Sequence, residues 1–186
     1  MIQDLFANLL PRINAKFKDI TFITNEEGKI LINEDGKLFQ LPITQNTFNL
    51  NCKFSSPTEF VSELTQWNNN PIQAKYPALF INSMTVEESF DLVTIGELVL
   101  VTHSDPKWNT KKRDAYSFKP ILNNIYRFLD EGIKESQDFC YSDFPQSHSI
   151  KFHYFYGRSG LYGGEANTFN DHCDAIEIKN LKLRIF

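Results

Sequence analysis

Near the C-terminal end of the sequence, residues 169–177 hold Asp171, His172, Cys173, Asp174 and Glu177. These are the side-chain types from which metal centres are built, and a metal needs them to converge on one point. A strand would send Asp171 and Cys173 one way and His172 and Asp174 the other. No second cluster elsewhere in the sequence completes a ligand set. From Ala175 onward Ile176, Ile178, Leu181, Leu183 and Ile185 interleave with Glu177, Lys179, Lys182 and Arg184, and the parity changes at Asn180. That pattern predicts a half-buried strand with a bulge or bend at Asn180, whose polar start emerges from a loop. No metal site is expected.

Three other stretches invite chemistry. His103-Ser104-Asp105 has the residue types of a hydrolase. A nucleophilic serine takes its base from elsewhere in the fold, however, and three adjacent residues cannot form that geometry among themselves. Asp105-Pro106 reads more simply as a turn. His148 and His153 lie five apart on a predicted strand and point to opposite faces, so aromatic packing beside Tyr154, Phe155 and Tyr156 is the expected role. The loop GRSGLYGG has Gly157, Gly160, Gly163 and Gly164 with Arg158 as its nearest cation. Phosphate-cradling loops run from a strand into a helix. This one precedes a strand and is expected to be a connector or contact loop. No catalytic residue and no cofactor is expected.

The elements that would position these residues can be read from hydrophobic spacing. Ile2, Leu5, Phe6, Leu9 and Leu10, extended by Ile13 and Phe17, predict an amphipathic helix from about residue 2, interrupted or kinked near Pro11. Over 20–44, Ile20 to Ile23, Ile30 to Ile32 and Leu38 to Leu41 read as short strands. Glu34-Asp35-Gly36 marks a hairpin turn and Asn25-Glu26-Glu27-Gly28 another. Ser56-Pro57-Thr58-Glu59 has the form of a capping box, predicting a helix from Pro57 to Asn68. Tyr76 to Ile81 reads as a buried strand with Pro77 at its opening. After a turn at Val86 to Ser89, Leu92 to Thr102 is apolar on both parities, as a central strand covered on both faces would be. Phe118, Ile121, Leu122, Ile125, Leu129 and Ile133 give a long amphipathic helix ending near Glu135. Pro120 lies in its first turn if Ser117 caps it, and inside it if the helix begins near Lys111. Strands at Ser149 to Tyr156 and Asp174 to Phe186 complete an α+β fold: a mixed or antiparallel sheet of about 4–6 strands with the long helix across it, an N-terminal helix and an extra β-hairpin.

Composition bounds the function. The chain has 186 residues, enough for one domain with an ordinary core, and is 41% hydrophobic with 17 Phe and 7 Tyr. That implies a core or a contact surface built on rings. A net charge of -4 lacks the basic excess of a sequence-independent nucleic-acid binder. Lys111-Lys112-Arg113 reads as a solvated loop patch. Three cysteines without a CxxC pair suggest thiols in a reducing compartment. No basic n-region or long apolar run suggests a signal peptide or membrane span, so a soluble intracellular protein is expected.

The order of elements, with the Tyr76-Pro77 opening and the stretches KYPALF, HSDPKWNTKKRDAYSFKPILNNIYRFLDEGI and NTFNDHCDAIEIKNLKL, resembles the tail-terminator (tail-completion) proteins of bacteriophages and similar virion-associated proteins of phages and prophages. The resemblance covers residues 55–186 and implies one tail-terminator-like domain over 1–186, with 20–54 as a hairpin insertion. It implies a non-enzymatic virion protein. Copies would form a closed ring, of roughly six or twelve, at the head-proximal end of the tail or in the neck. Partners would be other copies, portal-side connector proteins and tail proteins, with DNA at most passing through the lumen and no membrane. The protein would reside in the host cytoplasm during assembly and then in the virion. Lys29, Asp35, Lys107, Trp108, Lys111, Arg158, Leu161 and Tyr162, on the three expected loops, are candidate contacts. The competing readings are a small cytosolic adaptor working by strand pairing, or a hydrolase with a site at His103 or His172.

Overall fold

A computed structural model describes residues 2–19, 23–24, 26, 29–34, 37–44, 50–54, 76–87, 91–142, 148–156 and 171–186. The helix expected over Pro57–Asn68, the Asp35-Gly36 turn and the glycine-rich loop lie outside these residues. Helix α1 (Ile2–Lys18) buries Phe6, Leu9, Ile13 and Phe17. That stripe, at spacings of three and four, is one face of a helix. Pro11 sits inside α1 on an exposed position rather than ending it.

Strands β1 (Ile23–Thr24), β2 (Lys29–Glu34) and β3 (Lys37–Thr44) form a small antiparallel sheet. Glu34 pairs Lys37, closing the expected hairpin, and Ile30 is fully buried in the main core. The main sheet holds β4 (Asn51–Phe54), β5 (Ala78–Glu87), β6 (Leu92–His103), β7 (Phe139–Tyr141), β8 (Ser149–His153) and β9 (Cys173–Ile185). Its order is β4-β5-β6-β9, with β8 and β7 on successive stretches of the far edge of β9. Among the described strands only the β4–β5 pair is parallel. The fold is α+β, and β6 is the central strand.

Two differences from the sequence reading concern length. Strand β5 runs on to Glu87, which pairs Leu92, because Met84, Thr85 and Val86 continue the ladder as an exposed ribbon. Strand β8 stops at His153 because the backbone turns at Phe155, whose φ is 59°. Strand β7 was not foreseen, since three residues carry too little periodicity to read.

Between Thr110 and Lys134 the chain forms one continuous helix, α2, of three stretches: α-helical Thr110–Arg113, π-helical Asp114–Leu122 and α-helical Asn123–Lys134. The Asn109 side chain caps its start by accepting from the Lys112 N–H at 2.9 Å. Ser117 is therefore interior, not a cap, and Pro120 falls inside the π stretch. Helices α1 and α2 lie together on one face of the sheet. They approach closely at Gly132, where a Cβ would run into the Leu9 side chain.

That face carries Leu79, Ile81, Val93, Ile95, Leu98, Leu100, Ile176, Ile178, Leu181 and Leu183. Ala78, Phe80, Val99, Val101, Cys173 and Ala175 form a second buried cluster with Tyr76. Core spacing jumps from Ile95 to Leu98 and from Ile178 to Leu181, and those residues pair with each other across β6 and β9. Asn180 has φ 57°, the left-handed region that Asn tolerates better than most side chains. The β5–β6 register slips nearby, between Ile81 and Met84. The expected bend at Asn180 is thus one end of a crease crossing three strands. On one side of it β6 and β9 are buried on both faces. On the other side only alternate residues are buried.

Candidate functional site

At the start of β9 the clustered polar side chains go separate ways. The Asp171 carboxylate accepts from the Tyr76 hydroxyl at 3.2 Å. Cys173 is buried in the second cluster, and the His172 carbonyl accepts from the Ser104 N–H at 2.7 Å. Asp174, fully buried, faces α2 and accepts from Arg113 at 2.5 Å. Among the described residues no three His, Cys, Asp or Glu side chains gather closely enough to hold a metal ion.

Arg113 corrects the sequence reading. Lys111 is exposed, but the arginine expected in a solvated loop is only 2% exposed and lies in α2. Its guanidinium donates to the Asp174 carboxylate, to Ser104 Oγ at 2.9 Å, and to the carbonyls of Trp108 at 3.1 Å and Asp105 at 2.9 Å. The ring of Phe155 lies 4.0 Å beneath it. One planar cation with five fixed donors thereby ties α2, the 104–108 loop and β9 together. Ser104 Oγ faces a guanidinium, which cannot take a proton from it. The His103-Ser104-Asp105 run forms the corner between β6 and α2. The His103 ring lies 6.3 Å from Tyr76 and that of His172 6.0 Å from Phe155.

A second ionic group sits beside the crease. Glu177, 6% exposed, accepts from His153 Nε2 at 2.9 Å and Lys179 Nζ at 3.2 Å and is hydrogen-bonded to Glu97. Burial opposes its ionisation, yet the bonds to Glu97, His153 and Lys179 prevail and hold its carboxyl at about 2. A depressed folded-state value means stability that is complete above the usual 4.5 and lost as pH falls towards 2. Glu177→Gln is expected to flatten the acid limb of an unfolding-versus-pH curve below about pH 4.5. An unchanged limb would remove this role.

Among the described residues, several exposed apolar side chains gather along β8. Ile150 is 39% exposed, Phe152 54% and Tyr154, just beyond it, 45%. Phe152 and Tyr154 stand edge-on against Phe118 of α2 at 5.5 and 5.6 Å, covering a buried ring while keeping outer faces in solvent. Among the described residues β8 pairs only with β9, and an aromatic ledge runs along it.

Of the candidate contacts, Lys107 is exposed on the 104–110 corner, where its N–H donates to Asp105 at 2.8 Å, and Lys111 is exposed on the first turn of α2. Trp108 is half-buried, its indole edge-on to Tyr116 at 5.0 Å. Lys29 opens β2. Asp35, Arg158, Leu161 and Tyr162 lie outside the described residues. The ledge on β8 was missed, although Ile150, Phe152 and Tyr154 alternate in the sequence. What the alternation could not give was that β8 lies at an edge. No described helix is long and apolar enough to cross a membrane. Comparison with protein-family models and with curated proteins found no match to this chain.

Proposed function

We propose that the protein is a structural subunit of a bacteriophage virion, assembling with copies of itself into a ring at the head-proximal end of the tail or in the neck. Its work would be assembly rather than catalysis. Three things support the reading: the resemblance in residues 55–186, the helix-over-sheet architecture with an N-terminal helix, and the ties within the chain that engage the buried Arg113, Asp174 and Glu177. The single observation that carries it is the ledge of Ile150, Phe152 and Tyr154 along a strand edge that has no partner among the described residues. A ring needs two different patches per subunit that close by rotation, and aromatic surfaces are enriched in such contacts.

Size-exclusion chromatography with light scattering tests it. The full chain is expected to form a closed oligomer as its concentration rises, alone or with tail or connector proteins. Phe152→Ser is expected to shift the midpoint of assembly upward at least tenfold in concentration, or about 1.4 kcal/mol, while leaving the monomer folded. A chain that stays monomeric alone and with those partners would overturn the reading.

A further inference from the structure

Strand β8 is fastened at its two ends by two histidines with different partners. His148, the residue before it, lies between α2 and β7. Its Nε2 is 3.0 Å from the Tyr126 hydroxyl of α2, and its ring stacks on Tyr141 of β7, 5.8 Å between centroids and 13° from parallel. Behind these phenols Asp130 accepts from the Tyr141 hydroxyl and from Lys134, each at 2.7 Å. The carboxylate nearest the imidazole is thus already engaged by an ammonium and a phenol. At the other end His153 meets the Glu177 carboxylate, with Lys179, Glu97 and the edge of the Tyr156 ring around it. Ser149, Ile150, Lys151 and Phe152 between them are all exposed, so the strand is held by the ladder to β9, these two clasps and, in its second half, the edge contacts of Phe152 and Tyr154 with Phe118.

We propose that β8 is a proton-released strap: protonation of His148 frees its first half from α2 and β7, while the His153–Glu177 contact keeps its second half hinged to β9. The half-buried ring between two phenols takes up a positive charge poorly, whereas the released ring charges in water. Burial sets the direction, holding His148 below the usual 6.5; Asp130 opposes it and Lys134 adds to it. The fastened state binds the proton less well than the released one, so fastening is complete above 6.5 and weakens as pH falls. His153 Nε2 lies 2.9 Å from the Glu177 carboxylate, and that contact keeps its end in place. Release uncovers the edge of β9 at Ile178 and Lys179 and withdraws Ile150 from the ledge. The inference concerns the single chain and does not depend on the ring.

Amide hydrogen exchange on the full chain, corrected for intrinsic rates, tests it between about pH 7.5 and about pH 5.5. Exchange over Ser149 to Lys151 is expected to accelerate several-fold on acidification, with Phe152 and His153 changing far less. His148→Phe keeps an aromatic ring that cannot ionise and is expected to abolish the acceleration. His153→Gln is expected to fray the second half at both pH values while the first half keeps its response. Equal exchange across the window, the same response in His148→Phe, or a His148 ring that titrates at or above about 6.5 by NMR would overturn the proposal.

Discussion

Arg113→Ala is expected to destabilise the protein by about 3–5 kcal/mol, read as a lowered denaturation midpoint at unchanged slope. The loss is not the worth of one ion pair. The Asp174 carboxylate is fully buried, its second oxygen has no hydrogen-bond partner among the described residues, and removing the guanidinium leaves its charge uncompensated. The same change unties Ser104 and the carbonyls of Asp105 and Trp108. Arg113→Lys should recover little, because an ammonium is a point charge and cannot reach four acceptors in a plane. The double variant Arg113→Met with Asp174→Leu is expected to regain most of the loss, since a buried pair exchanged for apolar groups is close to neutral. If Arg113→Ala cost under about 1 kcal/mol, the knot would be ornamental and β9 would be held by its ladder alone.

Leu98→Ala should cost about 2–5 kcal/mol, the range for emptying a well-packed core position. Leu98 is fully buried on the helix-covered face and pairs Ile178 at the crease. Rigid ladders flank it on both sides and it lies in the core beneath the helices, so the surroundings cannot collapse into the cavity. Phe152→Ala deletes a larger side chain, yet it should cost the monomer under about 1 kcal/mol because more than half of that ring faces water. Equilibrium denaturation of the two variants side by side checks the assignment of faces. A Phe152→Ala loss equal to that of Leu98→Ala would contradict it.

Much of the fold was legible because its signals are periodic. The α1 stripe, the double-sided burial of β6 from Leu98 to Thr102 and the parity change at Asn180 each follow from where apolar residues fall relative to a helical or strand repeat. The hairpin was legible from Glu34-Asp35-Gly36, through the positive φ that Gly allows. What escaped depends on contacts distant in sequence. Arg113 looks like any surface cation in Lys111-Lys112-Arg113. Only the meeting of α2 with β9, 61 residues on, makes it a core residue. Glu177 reads as the solvent-facing partner of Ile176 and Ile178, but β6 and β8 on either side of β9 turn that face into the interior. The π stretch has no periodic signature of its own, and Pro120 in the sequence fitted either of two starts for α2.

Strand order has a consequence for biogenesis. Strand β9 comes after every other strand of the main sheet in sequence, yet it sits inside the sheet, with β6 on one side and β7 and β8 on the other. While the chain is being made, β6 must wait with one apolar flank unpaired, and β7 and β8 have no strand to join until β9 leaves the ribosome. Nascent chains arrested before residue 173 are therefore expected to be protease-sensitive and chaperone-bound. Protection should arrive in one late step rather than accrue with length.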